Sequence, residues 1–203
     1  MRKIALAATM IGLFAVPALA QTPPVGTPTR IRGTVDKLDG QNLTVKSRDG
    51  QALTIELAGN VTVITLVKKS VADIKAGDYV ASTGVKGTDG KIHAVEVRIF
   101  PEAARGTGEG QYPWDLMPDS VMTNATVGKV DQAPQGPVLH VSFKGTESEY
   151  TVGPDVPVLA NGPGDISLLK PGVAVFVIAL KHEDGKLTSA RLYAEKDGVK
   201  PPM

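Results

Sequence analysis

The sequence predicts an all-β protein: two small five-stranded Greek-key barrels in tandem, each with one short helical turn. Three observations predict it. Apolar and polar residues alternate in stretches such as Leu53-Thr54-Ile55-Glu56-Leu57, the mark of a half-buried strand. Asp-Gly pairs at Asp39-Gly40, Asp49-Gly50 and Asp89-Gly90 punctuate these stretches and supply the positive-φ positions that tight hairpins demand. The pattern then returns after residue 123, with eleven identities at a shift of 95, from Gly33/Gly128, Val35/Val130 and Asp36/Asp131 to Asp89-Gly90-Lys91/Asp184-Gly185-Lys186. A register kept through turns as well as strands is evidence for an internal repeat.

Taken in order, Arg30–Asp36 reads as the first strand, Leu43–Val45 as the second and Leu53–Leu57 as the third, with Val61–Val67 also β-rich. Ser70-Val71-Ala72-Asp73 resembles a capping box in which Asp replaces the usual Glu. It predicts one helical turn over Ser70–Ile74, ended at Ala76-Gly77. Asp78–Val85 and Ile92–Ile99 complete the five strands. A short helix between the third and fourth strands suits a barrel of the OB type. In the second copy Leu43 and Val45 align with Leu139 and Val141, a slip of one residue, and the turns are wider and proline-set: Ala133-Pro-Gln-Gly-Pro137 and Asn161-Gly-Pro-Gly164.

The N-terminus predicts export. Arg2 and Lys3 precede the apolar run Ile4–Ala15, Pro17 breaks it, and Ala18-Leu19-Ala20 forms a small-x-small cleavage site. The run is too short for a spanning helix, which needs about 20 apolar residues. The organisation expected is therefore a signal peptide over 1–20 cleaved after Ala20, a Pro-rich spacer over 21–28, barrels over 29–100 and 124–195, a Trp-containing linker over 101–123, and a disordered tail over 196–203. Localisation is expected to be periplasmic, with no membrane span after signal cleavage. Removing Arg2 and Lys3 takes the net charge from +1 to −1, which argues against nucleic acid as a partner. The chain has no cysteine, so disulfides, thiol catalysis and thiolate metal sites are excluded and stability rests on burial.

With Gly33-Thr-Val-Asp36, Leu43-Thr-Val45, Ile74-Lys-Ala-Gly-Asp-Tyr-Val80 and Asp89-Gly-Lys-Ile-His-Ala94 identified, the chain resembles a family of exported bacterial β-barrel domains of unknown function. The resemblance covers 29–100 well and the second copy less well, since Val173 stands where the family pattern has Asp. Gly108–Leu116, continuing through Met122–Thr126, looks like the signature of one branch, whose members sometimes carry the label of a metal transporter permease. A permease needs several spans, and no long apolar run follows residue 20. The resemblance implies fold and export and transfers no catalytic residue.

Candidate chemistry concentrates in the linker. In a chain with 4% aromatics, the single tryptophan, Trp114, sits in Tyr112-Pro113-Trp114-Asp115. It is read first as a plug covering the seam between the barrels, because burying a Trp stabilises by several times what a methylene does. The other reading makes Tyr112, Trp114 and Asp115 a binding surface for a small molecule, glycan or peptide. Glu109, Asp115 and Asp119 lie close in sequence, but two acids are only the minimum for glycoside hydrolysis, and Asp115 is expected to bond the backbone of its own turn. His93, His140 and His182, with Met117 and Met122, form no ligand spacing. The expectation is a binding or scaffolding module with no catalytic residue, no metal and no cofactor, its partner a small molecule, glycan or envelope protein. The alternatives are a metal-related accessory protein and a hydrolase using the loop carboxylates.

Overall fold

The computed structural model describes residues 26–202, so the expected signal peptide over 1–20 and its expected cleavage site lie outside the described residues. The chain is all-β, with strands β1 (Thr27–Asp39), β2 (Asn42–Ser47), β3 (Ala52–Lys69), β4 (Tyr79–Lys86), β5 (Ile92–Ile99), β6 (Gly110–Pro113), β7 (Ser120–Ala133), β8 (Gly136–Phe143), β9 (Thr146–Thr151), β10 (Val158–Pro163), β11 (Ala174–Lys181) and β12 (Leu187–Ala194). The helical turns are single 3-10 turns at Val71–Asp73, Glu102–Ala104 and Ile166–Leu168. At the first, the Asp73 carboxylate accepts from Ser70 N (2.8 Å) and Ser70 Oγ (3.0 Å). Asp165 caps the third by accepting from Ser167 N at 2.8 Å.

The strands close into two five-stranded rings, but not from the contiguous segments the sequence suggests. β1, β2 and β3 are closed by β11, antiparallel to β1, and by β12, parallel to β3. The second ring joins β7, β8 and β9 to β4, antiparallel to β7, and β5, parallel to β9 and then to β10. Each barrel takes three strands from one half of the chain and a hairpin from the other, which corrects the division into 29–100 and 124–195. The cores follow the exchange. Leu43, Val45, Ile55 and Leu57 pack with Leu169, Val175, Val177 and Leu192, while Leu139, Val141 and Tyr150 pack with Ile74, Val80 and Val97. Each fully buried aliphatic side chain contributes roughly 1.5–3 kcal/mol, so both barrels depend on both halves.

The physical cause is β3. Residues 53–57 and 61–67, read as separate strand pieces, form one strand of 18 residues. Its first part pairs with β2 and its second with β10, which carries the chain out of the first barrel before the β4–β5 hairpin forms. In the β3–β10 ladder Leu66 lies opposite Asn161, its own counterpart at the shift of 95, so an approximate two-fold axis passes between the barrels. The shift holds in the hairpins, where Val80↔Ile99 and Ala81↔Arg98 match Val175↔Ala194 and Phe176↔Tyr193. In β1 the shift is 92: the bulge after Val35 matches the bulge after Val127, and Gly33 opposite Val175 matches Ala125 opposite Val80. The Gly33/Gly128, Val35/Val130 and Asp36/Asp131 identities are therefore not spatial equivalents. The longer β7–β8 hairpin absorbs the difference.

Two further expectations are corrected. Thr27 and Pro28 belong to β1, paired with Lys181 and Leu180, rather than to a spacer. The tail is ordered through Pro202: Lys196 and Val199 bridge across Asp197-Gly198, both at positive φ, which suits a tight Asp-Gly turn. Val199 packs on the seam between the barrels, and the Pro202 carbonyl accepts from Arg32 Nε at 3.1 Å.

Candidate functional site

Strands in this protein are buried on both faces where the barrels meet. On β11, Val175, Val177 and Ala179 point into the first core, and Phe176 points out into a third cluster with Leu66, Leu159, Tyr193 and Trp114. β4 does the same, with Val80 facing in and Ala81 facing out. The outward faces line a partly open cavity of about 180 Å³ on the two-fold axis. Its walls come from matching positions in the two halves: Ala81 and Phe176, Thr83 and Ile178, Glu96 and Arg191, Arg98 and Tyr193, and, at the β1 shift, Arg32 and Asn124. The geometry is symmetric and the chemistry is not.

The linker supplies a further wall. β6 pairs antiparallel with β7, placing Tyr112 opposite Met122, and the Trp114 N–H donates to Ser120 O at 2.7 Å. From this anchor in the second barrel, Trp114 reaches the first. Its ring lies edge-on to Phe176 at 6.3 Å, beneath the Arg30 guanidinium at 4.1 Å, and 6.1 Å from Tyr112. Phe176 in turn stacks on Tyr193 at 5.8 Å. Five of the nine aromatic residues line this one cavity: Phe100, Tyr112, Trp114, Phe176 and Tyr193. Trp114 is partly buried, so it spans the seam and also forms a wall of the cavity.

Asp115 does not bond its own turn, contrary to the sequence expectation. Its carboxylate accepts from Arg32 Nη1 at 2.5 Å, with Arg30 at 3.8 Å, and its carbonyl accepts from Arg48 Nη2 at 2.8 Å. A cation on β1 is within reach, and the charge-assisted bond to it outweighs a local one. Burial lowers the Arg32 pKa from its usual value, and the Asp115 bond and charge pull it back up. Across the cavity, Arg98 donates to Glu96 at 2.6 Å and lies 4.8 Å from the Tyr193 ring centroid. Burial again opposes the charge, but Glu96 and Tyr193 outweigh it and hold the guanidinium above its ordinary value. Tyr112 is pushed up by burial, with Arg30 and a bond from Asn124 pulling it down. Arg98 Nε and Asn124 Oδ1 are buried and lack a partner among the described residues.

The other candidates are dispersed. Glu109 Oε1 accepts from Lys144 N at 3.0 Å. Asp119 is exposed at a positive-φ turn. His93 bonds Asp89, His140 sits between Asp131 and Glu149, and His182 bonds Thr188. Among the described residues no group of three or more His, Asp or Glu is placed to hold a metal, and no helix is long and apolar enough to cross a membrane. Of the sequence candidates Tyr112 and Trp114 line the cavity, while Asp115 stands behind it on Arg32; Arg32, Arg98, Arg191, Phe176 and Tyr193 were not singled out by the sequence. The signal was present in Ala174-Val-Phe-Val-Ile-Ala-Leu180, a continuous apolar run that marks a strand covered on both faces. No family model, curated protein or solved structure matches this chain.

Proposed function

We propose that this protein is an exported, periplasmic binding module for a small molecule, with its site in the cavity on the two-fold axis and Tyr112 and Trp114 as one wall. The observation that carries this reading is the lining of the cavity: a partly open pocket of about 180 Å³ in which most of the chain's aromatic residues meet three arginines. Ligand sites are concave and mostly apolar, with a few placed polar groups. A seam serving only to glue two barrels together would be expected to close. We read the two halves as a duplication, supported by the matching registers, in which exchange of hairpins ties the barrels and divergence of the equivalent positions made one asymmetric pocket. The likeness to exported bacterial β-barrel domains belongs to the same proposal.

Native mass spectrometry of protein taken gently from a periplasmic extract tests it. A bound small molecule is expected on the intact chain and is expected to be lost from Trp114→Ala, with folding preserved in circular dichroism. A Trp114→Ala protein that retains its ligand in full would place the site elsewhere. Sequencing of the mature protein is expected to begin at Gln21; a cytoplasmic, uncleaved chain would remove the export half of the reading.

A further inference from the structure

We propose that the ligand class is a one-ring aromatic carboxylate; this rests on the binding reading above and deepens it. Three features of the cavity carry the assignment. The first is size. A cavity of about 180 Å³ is close to the ~150 Å³ apolar cavity known to take up benzene, so one ring with a small substituent fits within it. The second is shape and surface. Trp114 and Phe176 meet edge-to-face, and Phe176 stacks on Tyr193, offering planar walls to a planar guest.

The third is charge. Three arginines line the cavity against one acid. Arg32 is answered by Asp115 and Arg98 by Glu96, whereas Arg191 makes no ion pair among the described residues. One unanswered cation at the edge of an aromatic chamber balances one anionic group. Guanidinium is suited to that role because its planar fork matches a carboxylate. Arg98, whose Nε is unpartnered among the described residues, adds donor capacity to the same lining. The matching position to Arg191 is Glu96, so the same axis that makes the walls equivalent puts opposite charges on the two sides, and only the Arg191 side attracts an anion.

Trp114 is the only tryptophan, so its fluorescence reports on the cavity directly. Full-length mature protein titrated with benzoate is expected to show a saturable change. Cyclohexanecarboxylate, which lacks the flat ring, and benzyl alcohol, which lacks the charge, are each expected to bind roughly tenfold more weakly. Arg191→Gln, at an exposed position, is expected to weaken benzoate about fivefold or more with an unchanged melting temperature, and to leave benzyl alcohol unaffected. Thr83→Ile, which installs the residue of the matching position, narrows the cavity and is expected to weaken benzoate and benzyl alcohol alike. Equal binding of benzyl alcohol and benzoate, or an Arg191→Gln protein with wild-type benzoate affinity, would overturn the anion assignment and leave the binding site standing. No saturable change with any of the three compounds, while a ligand is still recovered from the periplasm, would overturn the class alone. No change with the compounds and no recovered ligand would overturn both readings.

Discussion

At matching core positions the first barrel holds Ile55 and Ala179, and the second holds Tyr150 and Gly84. Both barrels fill the same kind of space, one with a medium and a small side chain, the other with a large side chain against none. A Cβ on Gly84 would lie 2.7 Å from the Tyr150 ring, so the glycine is the space the tyrosine occupies. The substitution also brings a hydroxyl into a core, and Tyr150 answers it with bonds to Thr123 and Gln111. Gln111 stands on β6, so the polar device inside the second barrel is tied to the linker strand that carries Tyr112. The first barrel, purely aliphatic at this point, has no such tie. Its asymmetry lies outside the ring, where Phe176 and Tyr193 stand at the positions of Ala81 and Arg98. The second barrel thus anchors the linker, and the first supplies the aromatic floor on which the linker closes.

The largest expected effect tests whether the barrels are separable at all. Cutting between Gly106 and Thr107 leaves each fragment with three strands of one ring and the hairpin of the other. Neither fragment is expected to melt cooperatively alone, and mixing them is expected to restore a single transition, read by circular dichroism. A cooperative transition in the N-terminal fragment alone would mean that β4 and β5 can close on their own β1–β3, and that the exchange is optional.

Next in size is the ion pair beneath the linker. Asp115→Ala removes the partner of Arg32, whose side chain is 2% exposed. Breaking a buried pair from one side costs about 3–5 kcal/mol; because the Asp115 side chain is 37% exposed, about 2–3 kcal/mol is expected in urea denaturation. Arg32→Met in the Asp115→Ala background is expected to recover part of it, since the orphaned charge is then gone. The barrel comparison itself predicts a smaller, coupled effect. Gly84→Ala is expected to cost about 1–3 kcal/mol through overpacking. Adding Tyr150→Ile, which copies the first barrel, is expected to give a double-mutant coupling above roughly 0.5 kcal/mol. Strict additivity would show that the pair does not share its space.

The smallest effect concerns pH. Burial, with the charge of Glu109 behind it, pushes the Tyr79 hydroxyl up to about 12 from 10. The group is an acid whose folded value is raised, so its contribution is complete below pH 10 and is lost as pH rises toward 12. Tyr79→Phe is expected to flatten this part of the alkaline limb in melts between pH 9 and 12. The hydroxyl donates to Thr107 O at 3.1 Å in the segment leading to β6, and the matching residue in the first barrel is Ala174. The loss should therefore loosen the linker side first, visible in Trp114 emission before the global transition.

The strands were legible in the sequence because their signals are local. Asp89-Gly90 turns the β4–β5 hairpin whatever surrounds it, and Leu53-Thr-Ile-Glu-Leu57 alternates because one face meets a core. Tyr112 and Trp114 stood out by composition. The arginines did not: Arg98 lies within an ordinary alternating strand, and nothing in Val97-Arg98-Ile99 says that its outer face meets another barrel. Asp115 read as a turn acid for the same reason, since its partner Arg32 is 83 residues away.

By itself the sequence determined the hairpins, their turns and the faces of most strands, because period-two burial and turn conformation are set within a few residues. Tertiary structure alone decided which hairpin closes which barrel. The two candidate hairpins carry the same register, so backbone pairing does not distinguish them; what does is core fit, Gly84 against Tyr150 and Ala179 with Ile55. The reach comes from β3, whose 18 residues extend roughly 60 Å at a strand's rise per residue and deliver the chain to the far side of the axis. The cavity is a consequence of that delivery: residues 32, 98, 124 and 191 become neighbours only once the halves have traded strands.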